Sequence, residues 1–205
     1  MLSHLKRTPI YPLLQSIRHT QWIYQGRPVP PPNVVKQRAV REYASRFGLH
    51  ILVETGTFQG DMIAACRSSF DRIISIELSE TLHARAKQRF SRYPHIELLL
   101  GDSTEQIQHV LNRLSEAALF WLDAHAMGSL YHTARGQLET PIVQELQQIF
   151  QHRIRDHVIL IDDARFFVGE NDYPTLDELR SLVASQRDDL LFEVRDDIIR
   201  LTPRR

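Results

Sequence analysis

The chain has 205 residues, 42% apolar and 24% charged, and its 25 basic side chains balance 25 acidic ones. That length suits one domain with a sizeable core plus an appendage, in an ordinary globular composition. A single cysteine, Cys66, excludes an internal disulfide framework, and no run approaches the roughly 20 apolar residues of a membrane helix.

The start, MLSHLKRTPIYPLLQ, lacks the apolar core and small-residue cleavage site of a secretory signal. A reducing, cytoplasmic setting is therefore expected. Cys66 lies in the apolar run MIAAC and reads as a buried, inert thiol. The neutral total hides an asymmetry. Residues 1–46 carry Lys6, Arg7, Arg18, Arg27, Lys36, Arg38, Arg41 and Arg46 against Glu42 alone, so the remainder is acidic. Residues 27–33, RPVPPPN, cannot be helix interior and read as an extended linker. The division is a basic, Pro-rich arm over 1–33 and a domain over 34–205. The basic residues are scattered rather than blocked, which favours an arm packed on its own acidic body or on a partner subunit. Capture of an anionic substrate or nucleic acid is the other reading.

From residue 34 strands and helices alternate. VVKQRAVREYASRF reads as a helix stopped by Gly48. An apolar strand follows at 50–54, then a helix at about 60–68. RIISIE, 72–77, is a second strand, and Ser79 caps the helix SETLHARAKQRF. IELLL, 96–100, is a third strand, and Ser103 with Gln106 has capping-box spacing for the next helix. ALFWLD, 118–123, is a fourth strand. TPIVQELQQIF has Thr140 as cap and Pro141 at the first helical position. HVILID, 157–162, is a fifth strand, and Thr175 with Glu178 is a second capping box. At the end LLFEV and IIRLT are separated by RDD alone, which permits only an antiparallel hairpin. The expected fold is α/β, a doubly wound, mostly parallel sheet covered by helices on both faces and closed by that hairpin.

In open α/β sheets ligands sit beyond the carboxyl ends of the strands. Here those ends are all acidic: Glu54, Glu77, Asp102, Asp123, and the pair Asp162-Asp163. Gly56 and Gly60 after the first strand permit a sharp turn and a close ligand approach. Their spacing is neither G-x-G-x-x-G nor a P-loop, and Glu54 would repel a diphosphate. A carboxylate before a glycine turn suits a ligand with a positive or amino-bearing end. Glu77 can accept hydrogen bonds from both hydroxyls of a ribose, and Asp102 with Ser103 offers an acceptor and a donor to an adenine edge.

These residues resemble the class I S-adenosylmethionine-dependent methyltransferases: E-x-G-x-x-x-G after strand one, an acid ending strand two, and G-D-S ending strand three. The resemblance covers roughly residues 34–205. It implies a Rossmann-like sheet of order 3-2-1-4-5-7-6. It also implies that Glu54, Gly56, Thr57 and Gly60 cradle the methionine part, Glu77 the ribose, and Asp102 with Ser103 the adenine.

Asp123 and the pair Asp162-Asp163 end neighbouring strands and would converge. Three close carboxylates repel unless one is protonated or a cation sits among them, and hard oxygen ligands suit magnesium or a similar divalent ion. The arrangement is similar to the metal-dependent O-methyltransferases of the catechol and macrocin types. That resemblance implies metal ligation by Asp123, Asp162 and Asp163, with Asp123 also in the catalytic set. His125 stands near where those enzymes place a Lys or second Asp and is the candidate base, its unperturbed pKa being near about 6.5. A surface or supporting histidine is the alternative. Residues 124–139 form a long connection at this end of the sheet, with Tyr131, His132 and Arg135 as candidate acceptor contacts.

The expected function is methyl transfer from S-adenosylmethionine to a hydroxyl of a small molecule, of sugar or natural-product type. No nucleic acid or membrane partner is expected, and a homodimer through the arm is. Nucleic-acid methylation is the runner-up, favoured only by the basic arm. WLDAH is not the Asn/Asp-Pro-Pro-aromatic motif of base-amino methyltransferases, and the sequence has no Pro-Cys pair. A non-catalytic or hydroxylase-like member of the same fold is a further alternative.

Overall fold

The structure, a computed structural model, describes residues 11–123 and 140–204. Two helices come first, α1 (Tyr11–Tyr24) and α2 (Asn33–Phe47). The alternating body follows as β1 (Ile51–Thr55), α3 (Asp61–Cys66), β2 (Arg72–Glu77), α4 (Glu80–Phe90), β3 (Ile96–Leu100), α5 (Ser103–Asn112) and β4 (Leu119–Leu122). Beyond the fourth strand lie α6 (Ile142–Gln151), β5 (Val158–Ile161), a single 3-10 turn at Ala164–Phe166, α7 (Leu176–Gln186), β6 (Leu190–Arg195) and β7 (Ile198–Pro203).

The strands form one seven-stranded sheet in the order β3-β2-β1-β4-β5-β7-β6. β1 to β5 run parallel, and β7 lies antiparallel between β5 and β6. The hairpin closes through Asp196 and Asp197, both in the left-handed region (φ 54° and 61°) that a type I′ turn demands. Side chains alternate across the central strands. One face, with Val53, Ile74, Phe120 and Ile159, is covered by α5, α6 and α7. The other, with Leu52, Ile73, Trp121 and Leu160, is covered by α2, α3 and α4. Cys66 is fully buried in this second layer, and burial pushes its thiol up to about 12, as an inert thiol requires.

Local signals explain most boundaries. Gly48 ends α2 in the left-handed conformation (φ 65°), Ser79 accepts from the Leu82 amide, and Thr175 with Glu178 forms a complete capping box. Two caps differ from the sequence expectation. Asp102, not Ser103, caps α5: its carboxylate accepts from the Thr104 amide at 2.8 Å, while the Ser103 hydroxyl goes to Glu145. Pro141 takes the cap position of α6, and Thr140 bonds the Ile142 amide from one residue earlier, at 3.4 Å.

The basic segment before residue 34 contains a helix. Trp22 of α1 is buried against Val34 and Val35, and its indole N–H donates to the Pro28 carbonyl at 2.8 Å. This contact folds the Pro-rich linker back onto α2. Arg27 reaches across to Asp196 of the hairpin at 3.3 Å. Trp22→Ala should cost about 3 kcal/mol of local stability, or about a hundredfold in amide protection. Hydrogen exchange should therefore speed up in Tyr11–Tyr24 and stay unchanged in β1–β5.

Candidate functional site

Glu54 lies inside β1 on the face packed by α2 to α4, and it is almost completely buried. A buried carboxyl needs partners. The β1–β2 register places Ser75 opposite it, and Ser75 Oγ donates to Glu54 Oε2 at 2.6 Å. Thr57 Oγ1 lies 2.5 Å from Ser75 Oγ and completes a chain of hydroxyls. Burial pushes the Glu54 carboxyl up to about 8; the Ser75 hydrogen bond opposes the rise, and the nearby Asp123 and Glu77 reinforce it.

The glycine turn bends over this group. Gly56 (φ 84°) lets the Gly56 and Thr57 amides both turn onto the Ile76 carbonyl, at 3.0 and 3.2 Å. Those amides are therefore directed into the sheet, not outward as an anion grip would need. Gly60 (φ 73°) precedes α3, and a Cβ there would meet the Phe90 ring at 2.6 Å. Glu77 is oriented by two backbone amides, Phe58 N–H on Oε2 and Ser79 N–H on Oε1, each at 2.8 Å. Each oxygen keeps a second acceptor direction. Asp102 Oδ1 accepts from both the amide and the hydroxyl of Thr104. Ser103 gives its hydroxyl to Glu145 of α6. So Glu54, Gly56, Thr57, Gly60, Glu77, Asp102 and Ser103 all stand at the carboxyl ends of β1, β2 and β3, three neighbouring strands.

The next two strand ends hold the second acidic group. Asp162 and Asp123 follow paired β5 and β4, and each donates its amide to the neighbouring strand. Asp163 follows in a left-handed conformation (φ 56°), and its amide donates to Asp162 Oδ1 at 2.8 Å. One ligand oxygen from each of Asp123, Asp162 and Asp163 lies within 4.8 Å of the other two. The expected convergence is present, and three carboxylate oxygens brought together are the hard donor set that could hold a metal ion.

A cation from the chain itself lies among them. Lys36, in the first turn of α2, donates to Asp162 Oδ2 at 2.6 Å and Asp163 Oδ1 at 2.9 Å. Arg165 donates to the same Asp163 oxygen at 2.7 Å and also pairs with Asp197. Burial pulls the Lys36 ammonium down, but the two aspartates overcome this and hold it above its usual range. Asp162 is still pushed well up, first by burial and then by Asp123. Beside the cluster, Asp123, Thr140, Glu145, Asp162, Phe167 and Tyr173 line a recess. Burial pushes the Tyr173 hydroxyl up to about 12.

His125, Tyr131, His132 and Arg135 lie outside the described residues. Lys36, Ser75, Glu145 and Arg165 are polar members of the site that the motifs did not point to. Two carried a signal. Ser75 is the one hydroxyl inside the apolar run IISI. Glu145 falls on the apolar face Ile142, Leu146, Ile149 of its helix, where a carboxyl needs a purpose.

No family model and no curated protein matches the chain. Solved structures do. The O-methyltransferase TomG of Streptomyces achromogenes, involved in tomaymycin synthesis and bound to S-adenosylmethionine, is 15% identical over 92% of this chain and 88% of its own, with a TM-score of 0.60. An O-methyltransferase from Bacillus cereus in complex with S-adenosylhomocysteine is 14% identical over 92% and 90%, at 0.60. The S-adenosylhomocysteine-bound methyltransferase of Podospora anserina is 15% identical over 93% and 88%, at 0.59. The chain thus has the fold of the class I S-adenosylmethionine-dependent methyltransferases.

The buried acids give a pH dependence. Glu54 moves from an ordinary 4.5 to about 8 and Glu145 from 4.5 to about 7 on folding, both through burial. Between those limits unfolding releases a proton, so rising pH favours the unfolded chain. The melting temperature of the ligand-free protein should fall from pH 5 to pH 8. Glu54→Gln with Glu145→Gln should flatten that slope in a calorimetric series.

Proposed function

We propose that the protein transfers a methyl group from S-adenosylmethionine to a hydroxyl of a small molecule, of sugar or natural-product type, with help from a divalent metal ion. The observation that carries this reading is the meeting of Asp123, Asp162 and Asp163 next to the Glu54–Glu77–Asp102 edge. Two sites on adjoining strand ends are what a cofactor and an acceptor require.

In this reading Glu54 faces the cationic, amino-acid end of the cofactor. A buried carboxyl poised to ionise beside a positive ligand favours that ligand electrostatically. Glu77, fixed by two amides, accepts from the ribose hydroxyls. Asp102 holds the adenine edge, and with the Ser103 hydroxyl turned to Glu145 the Ser103 contribution there is its backbone. Asp123, Asp162 and Asp163 are the metal ligands, and Asp123 lies nearest β1 and so joins the two halves. When bound, the cofactor supplies an activated methyl group and magnesium supplies charge that lowers the acceptor hydroxyl's pKa. The chain's own part is to hold the two reactants in line, exclude water and receive the proton, the last assigned to a ring nitrogen of His125.

The arm, 1–33, is read as a packing element, not a nucleic-acid arm. Arg27 turned to Asp196 supports this, as does Lys36 just beyond the arm, turned to Asp162 and Asp163. Leu13 and Ile17, one turn apart on α1 and more than half exposed, support a homodimer contact there. A cytoplasmic location fits the single buried cysteine, and no described helix is long and apolar enough to cross a membrane.

Glu77→Ala removes two charge-assisted hydrogen bonds, each worth about 1.5–3 kcal/mol. Calorimetry with S-adenosylmethionine should show binding weakened at least about a hundredfold; unchanged affinity would remove the cofactor assignment. Magnesium should raise the melting temperature of the wild type and leave Asp162→Asn/Asp163→Asn unmoved.

A further inference from the structure

We infer that Lys36 is the resident cation of the three-carboxylate seat and that a divalent ion enters only by displacing its ammonium. The inference rests on the metal reading above and adds a residue that sets how tightly, and when, that ion is held.

The geometry is specific. Lys36 Nζ bridges Asp162 Oδ2 and Asp163 Oδ1 at 2.6 and 2.9 Å, and its side chain is only 13% exposed. A metal bonded to either oxygen would lie within about 5 Å of Nζ, since a hard-ion bond is about 2.1–2.4 Å long. Two cations that close, sharing the same oxygens, repel strongly. Neither can hold its best position while the other is present.

The surroundings favour exchange over permanent occupancy. Arg165 already claims one lone pair of Asp163 Oδ1, so ammonium and metal compete for what remains on that atom. Asp163 is kept in a left-handed backbone conformation in which its amide donates to Asp162 Oδ1 while its carboxyl meets Lys36. Lys36 stands in the first turn of α2, directly after the proline-rich linker, on a flexible four-carbon stem. Without a metal it prevents the buried carboxylates from facing one another uncompensated, which would otherwise destabilise the fold.

Lys36→Met keeps the stem and removes the charge; Lys36→Gln keeps a hydrogen-bond donor and also removes the charge. Titration calorimetry with Mg2+ and with Mn2+, on full-length protein checked by circular dichroism, reads the affinity directly. Both variants should bind the ions at least tenfold more tightly than the wild type. Their melting temperatures should start lower and recover further on adding the ion. Equal or weaker affinity in both variants overturns the role of Lys36 while leaving the metal site intact. No binding in any of the three proteins overturns both this inference and the metal reading. If Lys36→Met does not fold, Lys36→Gln alone decides between the outcomes.

Discussion

The carboxyl edge of the sheet carries more negative charge than a protein edge can hold without compensation. Every strand from β1 to β5 delivers a carboxyl group there, and burial raises the cost of ionising Glu54 and Asp162 most. How that charge is compensated organises the rest of the molecule. Near β1 and β2 the solution is hydrogen bonding: Ser75 on Glu54, and two amides on Glu77. Near β4 and β5 it is ionic: Lys36 and Arg165 on the Asp162–Asp163 pair. The first kind fixes a carboxyl in place and leaves acceptor directions open. The second sets side-chain cations directly against the carboxylates, where the proposed metal would have to compete with them.

This division assigns separate tasks to the two halves. The hydrogen-bonded half is positioned by backbone amides and a register-fixed hydroxyl. The ionic half depends on side chains from distant parts of the sequence. α2 supplies Lys36, and the β6–β7 turn supplies Asp197 to Arg165. The segment before the sheet is therefore part of the site's electrostatics and not only a cover. Glu145 links the halves, taking hydroxyls from Thr55 of β1 and Ser103 of α5, while its second oxygen has no partner among the described residues.

The parallel sheet, the hairpin and most element boundaries were legible in the sequence. Near-continuous apolar strands and a connection as short as RDD leave few alternatives. The acidic strand ends were legible for the same reason, since each polar residue stood directly after an apolar run. The two misplaced caps, Ser103 and Thr140, show that a capping pattern can slide by a residue when its neighbour also caps or begins a helix. Lys36 was not legible. It lies well over a hundred residues from Asp162, and nothing local distinguishes it from the exposed cations around it. Only the packing of α2 across the sheet brings the two together.

We propose that this edge holds a cationic cofactor and a metal side by side. Crystals grown with S-adenosylhomocysteine and Mn2+, measured at the manganese absorption edge, test it most directly. One anomalous peak bonded to Asp123, Asp162 and Asp163 is expected, with Lys36 turned away and the nucleoside against Glu77. An empty cluster with Lys36 still on Asp162, or a nucleoside seated elsewhere, would contradict it.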